Sequence, residues 1–165
     1  MDVLTAIRTK RAVRQFTDEP IPDDVLDTIL KAALKAQSSK NSQPWQLIVV
    51  RDRATMVELS KLGDFLSHVA GATVCVVYAA PDNNPWTFFD LGQSAAYLQL
   101  AAQELGVGSC LGAIYQPPVA KKLLGVPDGL SVNALVSLGY PAATHKPAAL
   151  GGRKSVSEAV HWDRW

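Results

Sequence analysis

The chain of 165 residues has the length of one domain, and its 48% apolar content and net charge of +1 are ordinary for a globular protein. A charge so close to balance excludes a general electrostatic attraction to nucleic acid or to a membrane surface. The longest apolar run, Ala72–Ala80, is far shorter than the roughly 20 residues that span a bilayer. Two cysteines and three scattered histidines show no metal-ligand spacing. We therefore expect one cytoplasmic domain, residues 1–165, with reduced thiols, no bound metal and no nucleic-acid or membrane partner.

The first half of the chain predicts helices and buried strands in alternation. Apolar residues at helical spacing predict a short helix over Asp2–Thr9. The segment Pro20-Ile21-Pro22, followed by two acids, is typical of a helix start, and the apolar spacing continues to a helix end near Gln37. The β-branched runs Leu47–Val50 and Val74–Ala80 predict two buried strands, with another helix between them.

The second half continues the alternation. Asp90–Leu105 is apolar almost all round, which is typical of a helix in the interior or at a subunit interface. Pro117–Leu124 predicts a short helix, and Ala134–Leu138 predicts a further strand. Together the elements predict an α+β sandwich in which helices cover a central sheet.

Four segments carry candidate chemistry, and the first is basic. Arg8, Lys10, Arg11 and Arg14 fall within seven residues, and no carboxylate lies between Asp2 and Asp18. On a loop after a short helix, the last three could converge on one dianionic phosphate. The alternative is a solvated basic turn, which this segment alone favours, because charge runs usually lie on the surface.

The second segment, residues 37–45, is a run of small and amide side chains before Trp45. Such a loop offers hydroxyl, amide and backbone N–H groups to a polar heterocyclic ring or a sugar-alcohol chain. The alternative is an ordinary turn rich in serine and asparagine.

The third segment, residues 105–112, contains glycines but lacks the dinucleotide-binding fingerprint, because Leu111 stands where the third glycine belongs. Gly106 instead predicts the end of a helix. Gly112 either lets a flat ligand approach the backbone or belongs to a tight strand after that helix, and the residues do not decide between the two. Cys110 has no histidine nearby in sequence, so we expect a buried structural thiol.

The fourth segment is the C-terminal region from Gly151 to Trp165, which is basic, then amphipathic, and ends with two tryptophans. Trp162 has to be buried either against its own domain or against a partner. His161 is a poor candidate for a catalytic base in such a segment.

In this order, the segments resemble the FMN-dependent nitroreductase family over nearly the whole chain. The most specific match is the Ser-Ser-x-Asn-x-Gln-Pro-Trp loop at residues 38–45. The other matching segments are Lys10–Phe16, Pro20–Pro22, Leu100–Ser109, Gly139–Pro141 and the Arg-Lys…His-Trp-x-Arg-Trp region that ends the chain.

The resemblance implies a nitroreductase-like fold with a central mixed sheet between helices, in a homodimer whose C-terminal segment lies on the partner. It also implies a set of FMN contacts. Cations would hold the phosphate or ribityl chain, the serine loop would come from the other subunit, and a backbone N–H would lie near flavin N5. Ala12 stands where the family usually has serine, so one hydroxyl contact is lost. The implied cofactor-binding residues are Lys10, Arg11, Ala12, Arg14, Ser38, Ser39, Asn41, Leu111, Gly112 and Arg153.

The function implied by the resemblance is hydride transfer from NAD(P)H through the flavin to a small electron-poor acceptor, such as a nitroaromatic or a quinone. No side chain has to act as a catalytic residue, because the flavin supplies the chemistry. Two alternatives stay open: dehydrogenation of another small substrate, or an FMN-binding protein without turnover.

Overall fold

The computed structural model describes residues 1–82, 84–147 and 152–165. The strands are β1 (Gln46–Val50), β2 (Val74–Ala80), β3 (Gly108–Ala113) and β4 (Ser131–Gly139). The α-helices of the described residues are α1 (Val3–Thr9), α2 (Asp23–Ala33), α3 (Arg53–Leu59), α4 (Pro85–Glu104), α5 (Pro117–Leu124) and α6 (Val156–Ala159). Two 3-10 turns, Ser39–Asn41 and Ser67–Gly71, precede β1 and β2.

The four strands form one sheet in the order β1-β2-β4-β3, and all neighbours pair antiparallel. The expected mixed sheet is therefore wrong for the described strands. β2 and β3 run in the same direction, but β4 lies between them, so no two neighbouring strands are parallel. A parallel pairing does occur at an isolated bridge between Ala12 and Ser109, outside the named strands.

Helices cover both faces of the sheet, as the sequence predicted. The central strand β2 is accordingly buried on both sides. Val74, Val76 and Tyr78 face one core, which α2 and α4 complete. Cys75 and Val77 face the other, which includes residues of α3 and of the segment before β2. This double burial explains why β2 is a continuous apolar run rather than an alternating one.

The predicted bounds of β2 and α5 are confirmed, whereas two helices differ from their predicted limits. α2 ends at Ala33 rather than near Gln37, because Lys35 N–H and Ala36 N–H bond in 3-10 fashion to Ala32 and Ala33. α4 begins five residues before Asp90, at Pro85, since the Asn84 side chain accepts the Trp86 N–H at 3.0 Å and caps the helix.

α4 positions the candidate site, because it contacts α1, α2 and β3. Its inner face is buried by the chain itself, and two buried polar residues on that face, Asp90 and Gln99, bond to segments outside the helix. Its outer face leaves Trp86, Phe89 and Tyr97 exposed. The chain therefore buries only half of a helix whose sequence is apolar almost all round.

Candidate functional site

The N-terminal segment lies against the outer edge of β3. Val13 N–H donates to the Ser109 carbonyl at 2.9 Å, and Val13 packs on Gly108, where an added Cβ would come within 2.8 Å of the Val13 side chain. Glycine at this position therefore lets the segment approach the strand. The contact fixes Lys10 and Arg14, which flank the bridge, at the same edge.

Two cations of this segment, Lys10 and Arg11, have different surroundings. The Lys10 ammonium donates to the Gln99 side chain on α4, and partial burial lowers its pKa; Cys110 acts in the opposite direction, and the charge of Arg14 lowers the pKa by less. The Arg11 guanidinium is exposed and donates to the Arg8 and Lys10 carbonyls at 2.8 Å each. Within residues 1–82, 84–147 and 152–165, no ion pair joins Lys10, Arg11 or Arg14 to a carboxylate. The edge thus carries positive charge that no carboxylate of the described residues pairs with.

Cys110 lies beside these cations on the sheet, and it is buried, as predicted. Burial raises the pKa of its thiol above the ordinary value, although the charges of Arg14 and Lys10 act in the opposite direction. The thiol is accordingly protonated at neutral pH, and the thiolate needed for nucleophilic chemistry is disfavoured.

The outer edge of β3 presents the backbone of Leu111. Ile114 N–H donates to the Asn133 carbonyl at 2.9 Å, so alternate residues back along β3, including Gly112, point their backbone groups toward β4. Ser109 and Leu111 point theirs to the outer edge, in agreement with the bond from Val13 to Ser109. An outward N–H and an exposed side chain therefore come from Leu111.

The space beside Gly112 is taken by a residue of the core. An added Cβ would overlap Leu66 Cδ2, so the space that the glycine leaves is filled by a core side chain and not by a ligand. The strand prediction for this segment is confirmed, and the contact of Gly112 with a flavin stays a prediction. Leu66 lies 46 residues earlier in the chain, so the sequence alone gave no sign of the contact.

His68 is a residue of this edge that the sequence did not single out. Its Nδ1 lies 2.8 Å from Ser137 Oγ, which donates to the Cys110 carbonyl at 3.4 Å. Its Nε2 is buried without a hydrogen-bond partner among the described residues. Burial, and secondly the charge of Arg14, lowers the pKa of His68 to about 4, so the ring is neutral at pH 7. A lone histidine among apolar residues carries no sequence pattern that would have found it.

The loop of residues 38–43 is the second group of candidates. Ser39 N–H donates to Asp90 Oδ2 on α4 at 3.0 Å, and Ser38 Oγ accepts Gln43 N–H at 2.9 Å. Asn41 is exposed, while Ser38 is partly buried. A cavity of about 310 Å³ adjoins the loop and is lined by Gln37, Ser38, Ser39, Trp86, Phe89, Asp90 and Gln93. A larger groove of about 960 Å³ lies beside α5 and the start of β4, on other residues.

One chain brings only part of the predicted set together. Lys10, Arg11, Ala12 and Arg14 lie with Leu111 along the β3 edge. The 38–43 loop meets α4 at Asp90, whereas Lys10 meets it at Gln99. Nine residues of helix separate those contacts, which is about 13 Å along the axis. Within the described chain, no hydrogen bond links the edge to the loop.

Arg153 belongs to the C-terminal segment 152–165, all of whose residues are exposed. In the described residues, the side chain of Arg153 forms no ion pair and no hydrogen bond, so it does not join the basic group in this chain. Trp162 and Trp165 are 79% and 99% exposed, and the Trp165 ring stacks on His161 at 4.2 Å between centroids. Of the two alternatives for Trp162, burial on its own domain is therefore wrong.

The part of the chain that the structure describes contains no helix long and apolar enough to cross a bilayer. In the same residues, no group of three or more His, Cys, Asp or Glu side chains is placed to hold a metal ion.

Comparisons with known proteins agree with this geometry. A solved FMN-dependent nitroreductase from Clostridium difficile R20291 has the same fold, with a TM-score of 0.88, 28% identity, and 99% of this chain and 100% of that chain covered. A protein of Archaeoglobus fulgidus, provisionally named as an NADH dehydrogenase/NAD(P)H nitroreductase, is 34% identical over 99% of both chains. An NADH dehydrogenase of Thermus thermophilus is 30% identical, with 98% of this chain and 96% of that protein covered.

The fold and its neighbours define the nitroreductase class of α+β proteins. The family model described as Nitroreductase family matches residues 7–70 and 64–140. The chain belongs to the nitroreductase family.

Proposed function

We propose that the protein is an NAD(P)H-dependent oxidoreductase that binds FMN and reduces a small electron-poor acceptor, such as a nitroaromatic or a quinone. Family membership and the names of the relatives support NAD(P)H and a flavin. The observation that carries the proposal is the group of cations at the open edge of β3, which has no carboxylate partner within the described chain.

The chemistry of this edge fits a flavin mononucleotide. The Lys10 ammonium is half-buried without an opposite charge, which is unfavourable, and a bound phosphate dianion would offset that cost. Arg11 is exposed, and within the described chain its guanidinium bonds only to carbonyls of its own segment. Reorienting the guanidinium toward a phosphate should therefore cost little free energy. Three cations suit a terminal monophosphate, which favours FMN over FAD. Arg153 would add a fourth from the C-terminal segment.

The same edge has groups for the flavin ring. Leu111 offers an outward backbone N–H and an exposed apolar side chain, and Arg14 offers positive charge beside Ala12. Bound FMN would supply the hydride chemistry, so none of these residues has to act as acid, base or nucleophile. Their part is to hold the ring and to stabilise negative charge on its pyrimidine side.

A homodimer would complete the site. Ser38, Ser39 and Asn41 lie away from the β3 edge of their own chain and would meet the flavin bound at the edge of the partner. The exposed outer face of α4, the exposed apolar side chains of α1 and the two terminal tryptophans form apolar surface of the kind that marks an interface. For a stable dimer of this type we expect more than about 2,000 Å² to be buried in total.

Reconstitution followed by steady-state kinetics tests the proposal. The ligand released from reconstituted protein should have the mass of FMN, and NADH or NADPH should be oxidised when a nitroaromatic or a quinone is present. If the nicotinamide and the acceptor use one site, double-reciprocal lines should be parallel, because the oxidised nicotinamide leaves before the acceptor binds. Release of FAD, or no bound flavin, would contradict the proposal. Binding without turnover would leave a flavin-binding protein, and intersecting lines would indicate a separate nucleotide pocket.

A further inference from the structure

The backbone of the 38–43 loop adopts conformations that side-chain-bearing residues rarely occupy. Lys40, Asn41 and Gln43 have φ values of +52°, +54° and +46°, in the left-handed region. Such conformations persist where surrounding contacts hold them, and they concentrate at binding sites. The hydrogen bonds of each residue show which contacts hold this backbone.

Most hydrogen bonds of the loop are internal. Asn41 N–H and Ser42 N–H donate to the carbonyls of Ser38 and Ser39 at 3.0 Å each. Gln43 N–H donates to Ser38 Oγ at 2.9 Å. Among the described residues, the hydrogen bond that ties the loop to another element runs from Ser39 N–H to Asp90 Oδ2, across 51 positions of sequence.

Asp90 is an unusual residue for its position in α4. It is 4% exposed on the inner face of the helix, where Thr87 and Ser94, about one turn away on either side, are also buried. No cation pairs with its carboxylate in the described residues, and burying an unpaired carboxylate is costly. The carboxylate instead accepts the N–H immediately before the left-handed turn at Lys40 and Asn41.

We propose that Asp90 is a positioning residue for flavin binding, which acts through the loop without touching the flavin. Its carboxylate fixes the Ser39 N–H, and this contact sets the left-handed turn that presents the hydroxyl and amide groups of Ser38, Ser39 and Asn41. The inference rests on the proposed function, because it takes those groups to contact the ring and ribityl chain. The phosphate is held by the cations at the other region, so Asp90 affects the part of the ligand that FMN and riboflavin share.

Three variants test this role. Titrations with FMN and riboflavin, monitored by flavin fluorescence, give the two affinities. Thermal unfolding of the apoprotein gives the thermal midpoint. Asp90→Ala should weaken both ligands by a similar factor, on the order of tenfold. Asp90→Asn retains an oxygen that can accept the Ser39 N–H, so it should bind within about threefold of wild type. Ser94→Ala is the matched control: one turn further along α4, Ser94 Oγ donates to the Ala33 carbonyl at 3.0 Å, away from the loop. It should lower the thermal midpoint and leave both affinities unchanged.

The inference is overturned if Asp90→Ala binds both ligands as wild type does, or if Asp90→Asn is as weak as Asp90→Ala. If Asp90→Ala does not fold, Asp90→Ser takes its place, with amide hydrogen exchange at Ser39 as the readout. Protection of that amide should be kept in Asp90→Asn and lost in Asp90→Ser, and equal protection in both overturns the inference. Wild-type protein that binds neither ligand would contradict the proposed function, whereas normal wild-type binding with an unaffected Asp90→Ala contradicts this inference alone.

Discussion

At the β3 edge, the candidate residues are fixed by packing: Val13 sits on Gly108, and Lys10 bonds to α4. In the 38–43 loop, they are fixed by a left-handed backbone and by one bond to the buried carboxylate of Asp90. The edge is rich in positive charge, whereas the loop offers hydroxyl and amide groups. The two regions therefore suit different groups of one ligand: the edge suits the phosphate and, at Leu111 and Arg14, part of the ring, whereas the loop suits polar atoms of the ring and ribityl chain. They nevertheless lie apart in a single chain. We infer that the edge of one copy works with the loop of another.

The largest expected effect comes from damaging the two regions in separate chains. Arg11→Ala impairs the edge and Asn41→Ala impairs the loop, so each homodimer should lack intact sites. Mixed at equal amounts, half of the dimers should be heterodimers with one intact site, which restores about a quarter of wild-type sites. Bound flavin, measured at an FMN concentration that saturates only wild-type protein, checks this. If one chain built each site alone, mixing would restore nothing.

The pH dependence of the free energy of unfolding should change when His68, beside the edge, is replaced, and should not change when the loop is altered. His68 has a pKa of about 4 when folded and an ordinary value of 6.5, so the unfolded chain binds the proton more readily. The contribution of His68 to the free energy of unfolding should be fully present above pH 6.5. It should be lost as the pH drops toward 4, which lowers the free energy of unfolding by up to about 3 kcal/mol. Urea unfolding at pH 7 and pH 4.5 should show this fall in wild-type protein and a much smaller one in His68→Gln.

Among the described residues, the charge that acts on His68 is that of Arg14, and the group at its Nδ1 is the uncharged hydroxyl of Ser137, so neither is a carboxylate that would mask its titration. Ser38→Ala, which alters only the loop, should keep the wild-type pH dependence. Identical curves for wild type and His68→Gln would mean that another group controls acid stability.

Arg11→Ala sharpens the assignment of the phosphate to the edge. Loss of a charge-assisted bond should cost about 1.5–3 kcal/mol of FMN binding, roughly ten- to a hundredfold. Riboflavin, which lacks the phosphate, should lose far less. Arg8→Ala removes the same charge from the last turn of α1 and should have little effect on either ligand. Equal losses for FMN and riboflavin would show that Arg11 supports the fold instead.

The smallest effect is expected inside the loop. Ser38→Ala removes the acceptor of Gln43 N–H, a bond worth about 1 kcal/mol, and should weaken FMN and riboflavin alike by roughly fivefold. Ser42→Ala is the control, because the Ser42 hydroxyl is exposed and has no hydrogen-bond partner among the described residues. A loss confined to FMN would place the phosphate, and not the ring, at the loop.

Much of the fold follows from local patterns in the sequence. The apolar run of β2 and the Pro117 start of α5 predict their bounds, because burial on both faces and a proline in the first helical turn act locally. The start of α4 carried a local signal too, the Asn84 cap before Pro85, although periodicity alone placed it five residues late.

The candidate site was less predictable, because its key contacts join distant segments. The basic residues and the serine loop stand out in sequence, but the bond from Ser39 to Asp90 spans 51 positions. The burial of His68 and the packing of Leu66 into the space at Gly112 are likewise tertiary effects. Glycine can occupy a position for several structural reasons, and the sequence does not say which distant side chain will fill the space beside it.

The tryptophans give this chain a built-in optical reporter of assembly. Trp45 is 4% exposed, whereas Trp86, Trp162 and Trp165 are 60%, 79% and 99% exposed within one chain. Three of the four indoles of an isolated chain would therefore emit as they do in water. Burial of any of them between copies would shift the intrinsic emission toward shorter wavelengths. A dilution series of the apoprotein would then reveal the monomer–dimer equilibrium without any label.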